Sequence, residues 1–480
     1  MTRVSEAVLA RIDDLHRGRV AEGTAPSSVW GVFDRSGLVA SGGHGDRGDG
    51  RTPDADTVYR IASCTKSVTA ATLLTLVAEG RVHLDAPVTD FVPAFAAVRL
   101  PTSDAPVPTL RMLLTMSAGL PTDDPWADRQ ESITDDELDD VLRAGLLFDS
   151  VPGTRFAYSN TGYALLGRVV AVLTGTPFPQ AATDRVLGPL GLDATVFAAA
   201  DAGGYVVQGQ RRADDGWEAL PLTGPGAFSP IGGLFSTVRD MARWGTWLAA
   251  ASDPGRETTG TDAVLDAASR RSMQQLARFL PGPLVAGAPE RPGGYGFGLF
   301  VEHDDRVGAL VSHSGGYPGF SAHMRWSAAT GLGVVAFENA TQAKVAGAAV
   351  TAHDLLLAEH VERVRPAAEA LRAVLPETRA AQAAVGRLLA DWSDDRAAAI
   401  TTENVPLDQS WDRRRATVAA AVAAVGADLA AEPVAEESAT PTHLRWWLPG
   451  TAGRLRVEIR LAPLSRGLVQ TLVVRAEPTA

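Results

Sequence analysis

The 480-residue chain is expected to fold as an α/β domain followed by a smaller α+β unit. Three observations lead there. Strand-like segments occur near the start of the chain and again between residues 295 and 337, with a helical, Gly- and Pro-rich stretch between them, so one sheet is built from both ends of a long segment. Beyond Pro366 the pattern restarts, with two Ala-rich helical stretches and then three strands. Hydrophobic residues at 45% and charged residues at 21% are the proportions of a globular chain with a large core.

In order, Met1 to Val20 reads as an amphipathic helix, and Ser28–Phe33 and Leu38–Gly43 as a hairpin around Asp34-Arg35-Ser36-Gly37. Ser63 opens a helix to about Gly80, whose apolar positions are Val68, Leu73, Leu74, Leu76 and Val77. Residues 81–290 mix helices with loops. Alternation then predicts antiparallel strands at Tyr295–Val301, Ala309–His313, Phe320–Trp326 and Gly333–Phe337, and a helix from Thr341 to Glu362 closes a domain spanning 1–362. The second unit, 366–480, is expected to hold helices over 367–393 and 411–430 and an acidic linker at Glu432–Pro441. Strands follow at Leu444–Leu448, Arg454–Leu461 and Leu468–Val474.

A net charge of −12 argues against a nucleic-acid or anionic-membrane partner, since both favour clustered positive charge. The N-terminal stretch carries Arg3, Arg11, Asp13, Asp14 and Arg17 without an apolar core, and no run approaches membrane-spanning length. A cytoplasmic protein is expected. The single cysteine, Cys64, excludes an internal disulfide framework and a multi-cysteine metal site; no metal or other cofactor is expected. On a helix Cys64 points about 100° from Ser63, as a small buried hydrophobe rather than a nucleophile.

Only two of the 44 basic residues are lysines, Lys66 and Lys344. A chain this biased toward arginine keeps lysine where arginine fails: a buried lysine can lose its proton near neutral pH, arginine cannot. In Ser63-Cys64-Thr65-Lys66 a helical turn puts ammonium and hydroxyl on one face, the arrangement for a lysine that activates a serine nucleophile. Such an enzyme also needs a second acid/base group, and a phenol serves if nearby cations lower its pKa. Tyr158-Ser159-Asn160 supplies the phenol. A pair of backbone N–H groups must hold the oxyanion, and a Gly-rich strand offers one at His313-Ser314-Gly315-Gly316.

These three motifs resemble those of the serine β-lactamase and penicillin-binding-protein superfamily. The flanks Tyr59-Arg-Ile-Ala-Ser-Cys-Thr-Lys66, Leu113-Leu-Thr-Met-Ser-Ala-Gly-Leu-Pro121, Gly232-Gly-Leu-Phe-Ser-Thr-Val-Arg-Asp240 and Tyr295-Gly-Phe-Gly298 agree, over residues 5–362. The resemblance implies a β-lactamase-like domain, an antiparallel sheet with helices on both sides and a helical subdomain. It implies Ser63 as acylated nucleophile, Lys66 as its base, Tyr158 as proton shuttle and Asn160 as partner of Lys66 and of the substrate amide. The amides of Ser63 and Gly316 would form the oxyanion hole. His313 stands where many β-lactamases have lysine, which disfavours β-lactam hydrolysis and resembles the esterase, D-aminopeptidase and peptide-cyclase branches.

Among those branches the chain is most similar to penicillin-binding-protein-type thioesterases, which macrocyclise and release nonribosomal peptides. That likeness implies a peptidyl thioester as substrate, a carrier protein as possible partner and a lipocalin-like C-terminal domain. His313 would then help deprotonate the attacking amine. The alternative is a D-stereospecific aminopeptidase or carboxylesterase of the same superfamily.

Outside the motifs, Asp123-Asp124 before Pro125 reads as a turn or helix cap, with Trp126 a possible wall of the substrate pocket beside Gly315. Arg454, Arg456 and Arg460 share one strand face. That face is either solvated or binds an acidic group of the substrate through Arg454 and Arg456. Of Trp446 and Trp447, which point to opposite faces, at least one is expected to pack on the main domain.

Overall fold

The N-terminal stretch forms helix α1 (Glu6–Ala21), whose Ser5 cap accepts a hydrogen bond from the Val8 amide. The computed structural model describes residues 4–479 except 215, 254–257, 342, 372–373, 437 and 439. Two compact units emerge, Met1–Glu362 and Arg363–Ala480.

In the first unit the hairpin is β1 (Ser27–Asp34) and β2 (Gly37–Gly45). Its turn is set by Asp34, whose Oδ1 accepts from the Ser36 amide at 2.7 Å, and by Gly37 at φ = 110°. A short strand β3 (Tyr59–Arg60) leads to a single 3₁₀ turn, Ala62–Cys64, and then to α2 (Thr65–Ala78). Every residue of α2 from Thr65 to Leu76 is buried, so this helix runs through the core rather than lying on it.

The middle of the chain contributes a short helix α3 (Asp124–Ala127), α4 (Asn160–Thr174), strand β4 (Phe235–Ser236) paired with β3, and α5 (Val238–Ala249). The other strands of the large sheet are β5 (Arg278–Leu280), β6 (Gly293–Tyr295), β7 (Phe300–Asp304), β8 (Gly308–Tyr317), β9 (Phe320–Ser327) and β10 (Gly333–Glu338). They join the hairpin in one eight-stranded antiparallel sheet, ordered β2-β1-β10-β9-β8-β7-β6-β5. First and last thirds of the unit meet in the β1–β10 ladder, where Trp30 faces Ala336 and Val32 faces Val334.

Period-2 alternation explains why both faces of this sheet are covered. Val29 and Phe33 of β1 join the core around α2 and α5, while Trp30 and Val32 pack with Val334 and Ala336 against Ile12 of α1 and Ala349, Ala352 and Leu356 of the C-terminal helix α6 (Ala346–Leu371). Helix α6 continues past Glu362, where the sequence suggested an end; Ala367, Ala368 and Ala370 favour helix there despite Pro366.

The second unit places α7 (Pro376–Ala390) and α8 (Trp411–Val425) with a four-stranded antiparallel sheet: β11 (Val434–Ala435), β12 (His443–Gly450), β13 (Gly453–Leu461) and β14 (Val469–Pro478). The strands follow chain order, and β11 and β14 are not paired with each other, so the sheet is open. This is an α+β unit and corrects the lipocalin-like expectation, which requires a closed barrel. Four strands, one of them two residues long, are too few to close. Residues 437 and 439 of the expected linker lie outside the described residues. Trp446 sits in this unit's own core with Leu448, Val457 and Val385, and Trp447 lies under the Arg454 guanidinium at 5.6 Å.

Candidate active site

Ser63 occupies the middle of the 3₁₀ turn ahead of α2 and keeps 9% of its surface exposed. The residue before it, Ala62, has φ = +47°, a left-handed conformation that costs a residue with a Cβ about 1 kcal/mol or more. Neighbouring bonds hold the turn in place. The Ile61 amide donates to Leu234 O at 2.9 Å, the Leu234 amide to Thr65 Oγ1 at 3.2 Å, and Cys64 Sγ to His313 O at 3.3 Å. Burial pushes the Cys64 thiol up to about 12, which keeps it protonated and inert.

Lys66, one turn on, is fully buried, with Nζ 2.9 Å from Ser63 Oγ and 2.8 Å from the carbonyl of Ile231. Burial lowers its pKa from 10.5 to about 8, against the opposing pull of Asp124, Asp128 and Asp123. The neutral amine is thereby far more populated near pH 7 than in an ordinary lysine. A neutral Nζ has a lone pair directed at the serine proton. This is the chemistry that the scarcity of lysine suggested.

Tyr158 closes over the pair. Its ring centroid is 5.0 Å from Lys66 Nζ, and its phenol shares a hydrogen bond with Ser63. The expected lowering of this phenol by cations is overturned: burial, then Asp124, push it well above 10. Tyr158 therefore stays protonated. It can hand its proton on only as another arrives, as a relay rather than as a standing tyrosinate.

Asn160 departs from expectation in its partner. Its Nδ2 donates to Asp124 Oδ1 at 2.6 Å, not to Lys66, while its Oδ1 is buried without a hydrogen-bond partner. The reason is the α3 segment. Asp123 caps α4, accepting from the Asn160 amide at 2.7 Å and the Thr161 amide at 2.9 Å, and this brings Asp124 against the Asn160 side chain. Asp123 thus caps a helix distant in sequence rather than its own, on which it makes no capping hydrogen bond, and Asp124 enters the site. The Asp128 carboxyl, in the same segment, is raised by burial to about 7 and pulled back by Lys66. Trp126 is 43% exposed and meets Phe228 edge-on at 5.7 Å.

His313, on β8, differs most from its expected role. Nδ1 lies 2.6 Å from Ser314 O, which can only accept, so Nδ1 carries the proton. Nε2 must then accept from Tyr295 Oη at 3.1 Å. Burial lowers this imidazole to about 3. A neutral ring with both nitrogens committed is neither a fixed cation nor a base for an incoming amine, which corrects that expectation; its place between Tyr158, Tyr295 and Phe300 makes it a spacer of the aromatic floor.

The β8 glycines differ in purpose. A Cβ on Gly315 would meet Ile61 O at 2.3 Å, so glycine is what lets the strand lie against the serine turn. A Cβ on Gly316 would meet nothing within 4 Å, and Gly316 is exposed, one residue beyond the glycine that lies against the serine turn. Arg454 and Arg456 lie in the second unit, paired there: Arg454 Nε donates to Glu477 Oε2 at 2.6 Å and Arg456 Nη2 to Glu436 Oε2 at 2.5 Å. Within that unit the strand face is ion-paired.

Sequence reasoning missed Ile231, whose contribution is a backbone carbonyl and leaves no side-chain signal. It missed Tyr295, although the Tyr295-Gly-Phe-Gly298 flank had marked the segment, and it read Asp124 only as turn chemistry.

A serine on a strained turn beside a buried lysine is the arrangement in which a lysine can activate a serine. The chain belongs to the beta-lactamase family, whose model, described as Beta-lactamase, matches residues 12–359. It is 31% identical to the D-alanyl-D-alanine-carboxypeptidase/endopeptidase AmpH of Escherichia coli K12 over 202 residues, 41% of this chain and 50% of AmpH. The match thus spans half the length of AmpH. Esterase EstB of Burkholderia gladioli is 30% identical over 331 residues, covering 58% of this chain and 83% of EstB. The octameric penicillin-binding protein homologue from Pyrococcus abyssi shares the fold, with a TM-score of 0.62 at 19% identity over 95% of this chain and 96% of that one. Among the described residues no helix is long and apolar enough to cross a membrane.

Proposed function

We propose that the protein is a serine acyltransferase that takes a peptidyl group from a thioester onto Ser63 and passes it to an amine, closing a nonribosomal peptide into a ring. The observation that carries the acyl-enzyme step is the 2.9 Å contact between Ser63 Oγ and a buried, proton-losing Lys66. Neutral Lys66 takes the Ser63 proton as Oγ bonds to the acyl carbon, and the amides of Ser63 and Gly316 receive the oxyanion. The carbon–sulfur bond then breaks, and the proton leaves with the thiol through Tyr158.

An amine acceptor is supported by the acidic side of the site. Asp124 and Asp128 both act on Lys66 electrostatically, and the Asp128 carboxyl at about 7 can accept a proton from an incoming ammonium. The resulting amine attacks the ester, forms the amide and returns the proton to Ser63 Oγ. The absence of a fixed cation at His313 fits an acyl donor without a free carboxylate beside the scissile bond.

The second reading is hydrolysis, with water in place of the amine, as a D-stereospecific aminopeptidase or carboxylesterase. The names of AmpH and EstB favour it. Incubation with a peptidyl thioester ending in a D-residue separates the readings by product mass: a cyclic peptide lacks the water that a linear acid gains. Product formation undiminished in Ser63→Ala rejects both.

A further inference from the structure

Behind the nucleophile lies a buried ion pair that the acyl-transfer scheme does not use. Arg60 and Glu131, each 1% exposed, meet through Arg60 Nη2 and Glu131 Oε2, although 71 residues separate them. Glu131 Oε2 also accepts from Tyr317 Oη at 2.9 Å, and Oε1 accepts from Ser229 Oγ at 3.3 Å. The Arg60 guanidinium stacks on the Tyr317 ring at 3.9 Å and donates from Nε to Gly232 O at 3.1 Å and from Nη1 to Thr223 Oγ1 at 3.2 Å. Thr223 Oγ1 is in turn 3.1 Å from Tyr317 Oη.

The cluster's importance lies in what flanks each member. Arg60 stands three residues before Ser63. Gly232 follows Ile231, whose carbonyl accepts from Lys66. Tyr317 lies two residues beyond Gly315, the glycine that lets the strand lie against the serine turn, and next to Gly316, the proposed oxyanion donor. Close packing leaves these segments little slack: a Cβ on Gly233 would come within 2.6 Å of Glu131 Oε1, and one on Gly226 within 2.5 Å of Glu131 O. One buried carboxylate therefore ties together the nucleophile's turn, the carbonyl that orients the base, and the strand end that carries the oxyanion amide.

We propose that Glu131, through Arg60 and Tyr317, is the positioning residue that sets the spacing of Ser63, Lys66 and the Gly316 amide for acylation. It acts through backbone geometry and does not touch the acyl group. A misplacement of a few tenths of an ångström at the oxyanion donor weakens a bond made fully only in the transition state, so the loss falls on kcat and leaves KM nearly unchanged. The inference rests on Ser63 being the acylated nucleophile.

The test uses the full-length protein, p-nitrophenyl butyrate as probe, and mass spectrometry of fluorophosphonate labelling. Tyr317→Phe keeps the stacked ring and removes one hydrogen bond; kcat is expected to fall about tenfold with KM within about twofold. Glu131→Gln keeps the shape and removes the charge, with an expected fall in kcat of about a hundredfold and slower fluorophosphonate labelling of Ser63. Thermal midpoints are read alongside. Unchanged kcat in Tyr317→Phe, or a lowered midpoint with wild-type kcat in the folded fraction, overturns the positioning role while leaving Ser63 chemistry intact. Ester turnover by Ser63→Ala equal to wild type overturns the acyl-enzyme reading, and the inference with it; that outcome is distinguishable because Tyr317→Phe is not needed to see it.

Discussion

Lys66 and the arginines of strand β13 are all basic residues, and the protein uses them in opposite ways. Lys66 has no exposed surface, two hydrogen-bond partners and a pKa near 8. Arg454 and Arg456 stand at the surface of the second unit, each matched with a glutamate. Water explains the difference. Removing it makes the charged form of Lys66 costly and turns an ammonium into a base, whereas solvent leaves the arginines as screened charges whose partners hardly matter. A basic residue becomes chemistry only where solvent is withheld.

The comparison can be broken most severely at the buried end. Ser63→Ala is expected to lower turnover of p-nitrophenyl butyrate by about 10⁴-fold or more, read as initial rates with labelling of Ser63 lost. Lys66→Arg keeps the charge but cannot supply a lone pair, so a fall of about 10³-fold is expected; activity within tenfold of wild type would show that proton loss is not what Lys66 provides. A smaller effect is set by pH. The competent form is neutral Lys66, so kcat/KM climbs about tenfold per pH unit below about 8 and levels above it.

Asp128→Asn sharpens this further. The Asp128 carboxylate raises the Lys66 pKa, so its removal moves the rising limb toward lower pH, by under about one unit, in the same rate profile. At the exposed end, Arg454→Ala should change stability by less than about 1 kcal/mol in chemical denaturation and leave ester turnover unaltered. A large loss there would mean that the strand face does more than meet solvent.

The legible part of this site was local. Ser63 to Lys66, Tyr158 to Asn160 and His313 to Gly316 each span four residues or fewer, within reach of helical or strand geometry read from sequence. Both ends of the sheet were likewise legible, although strands predicted from alternation prove to be buried on both faces. What stayed hidden depends on distant segments meeting. The partner of Arg60 lies 71 residues away, the acceptor of Lys66 is the Ile231 carbonyl, and His313 is neutral through burial and the nearby Lys66, with its tautomer set by Tyr295 and Ser314 together. The sign of the Tyr158 shift was misjudged for a related reason: proximity to a cation can be guessed from motifs, whereas depth of burial cannot.

The chain's one thiol stands beside its nucleophile, sealed from solvent and bonded to the strand that completes the site. A thiol-reactive dye added to the native protein thus counts the molecules in which that seam has parted. Cys64 is a built-in gauge of how often the catalytic centre opens, and it reads that frequency without an engineered label.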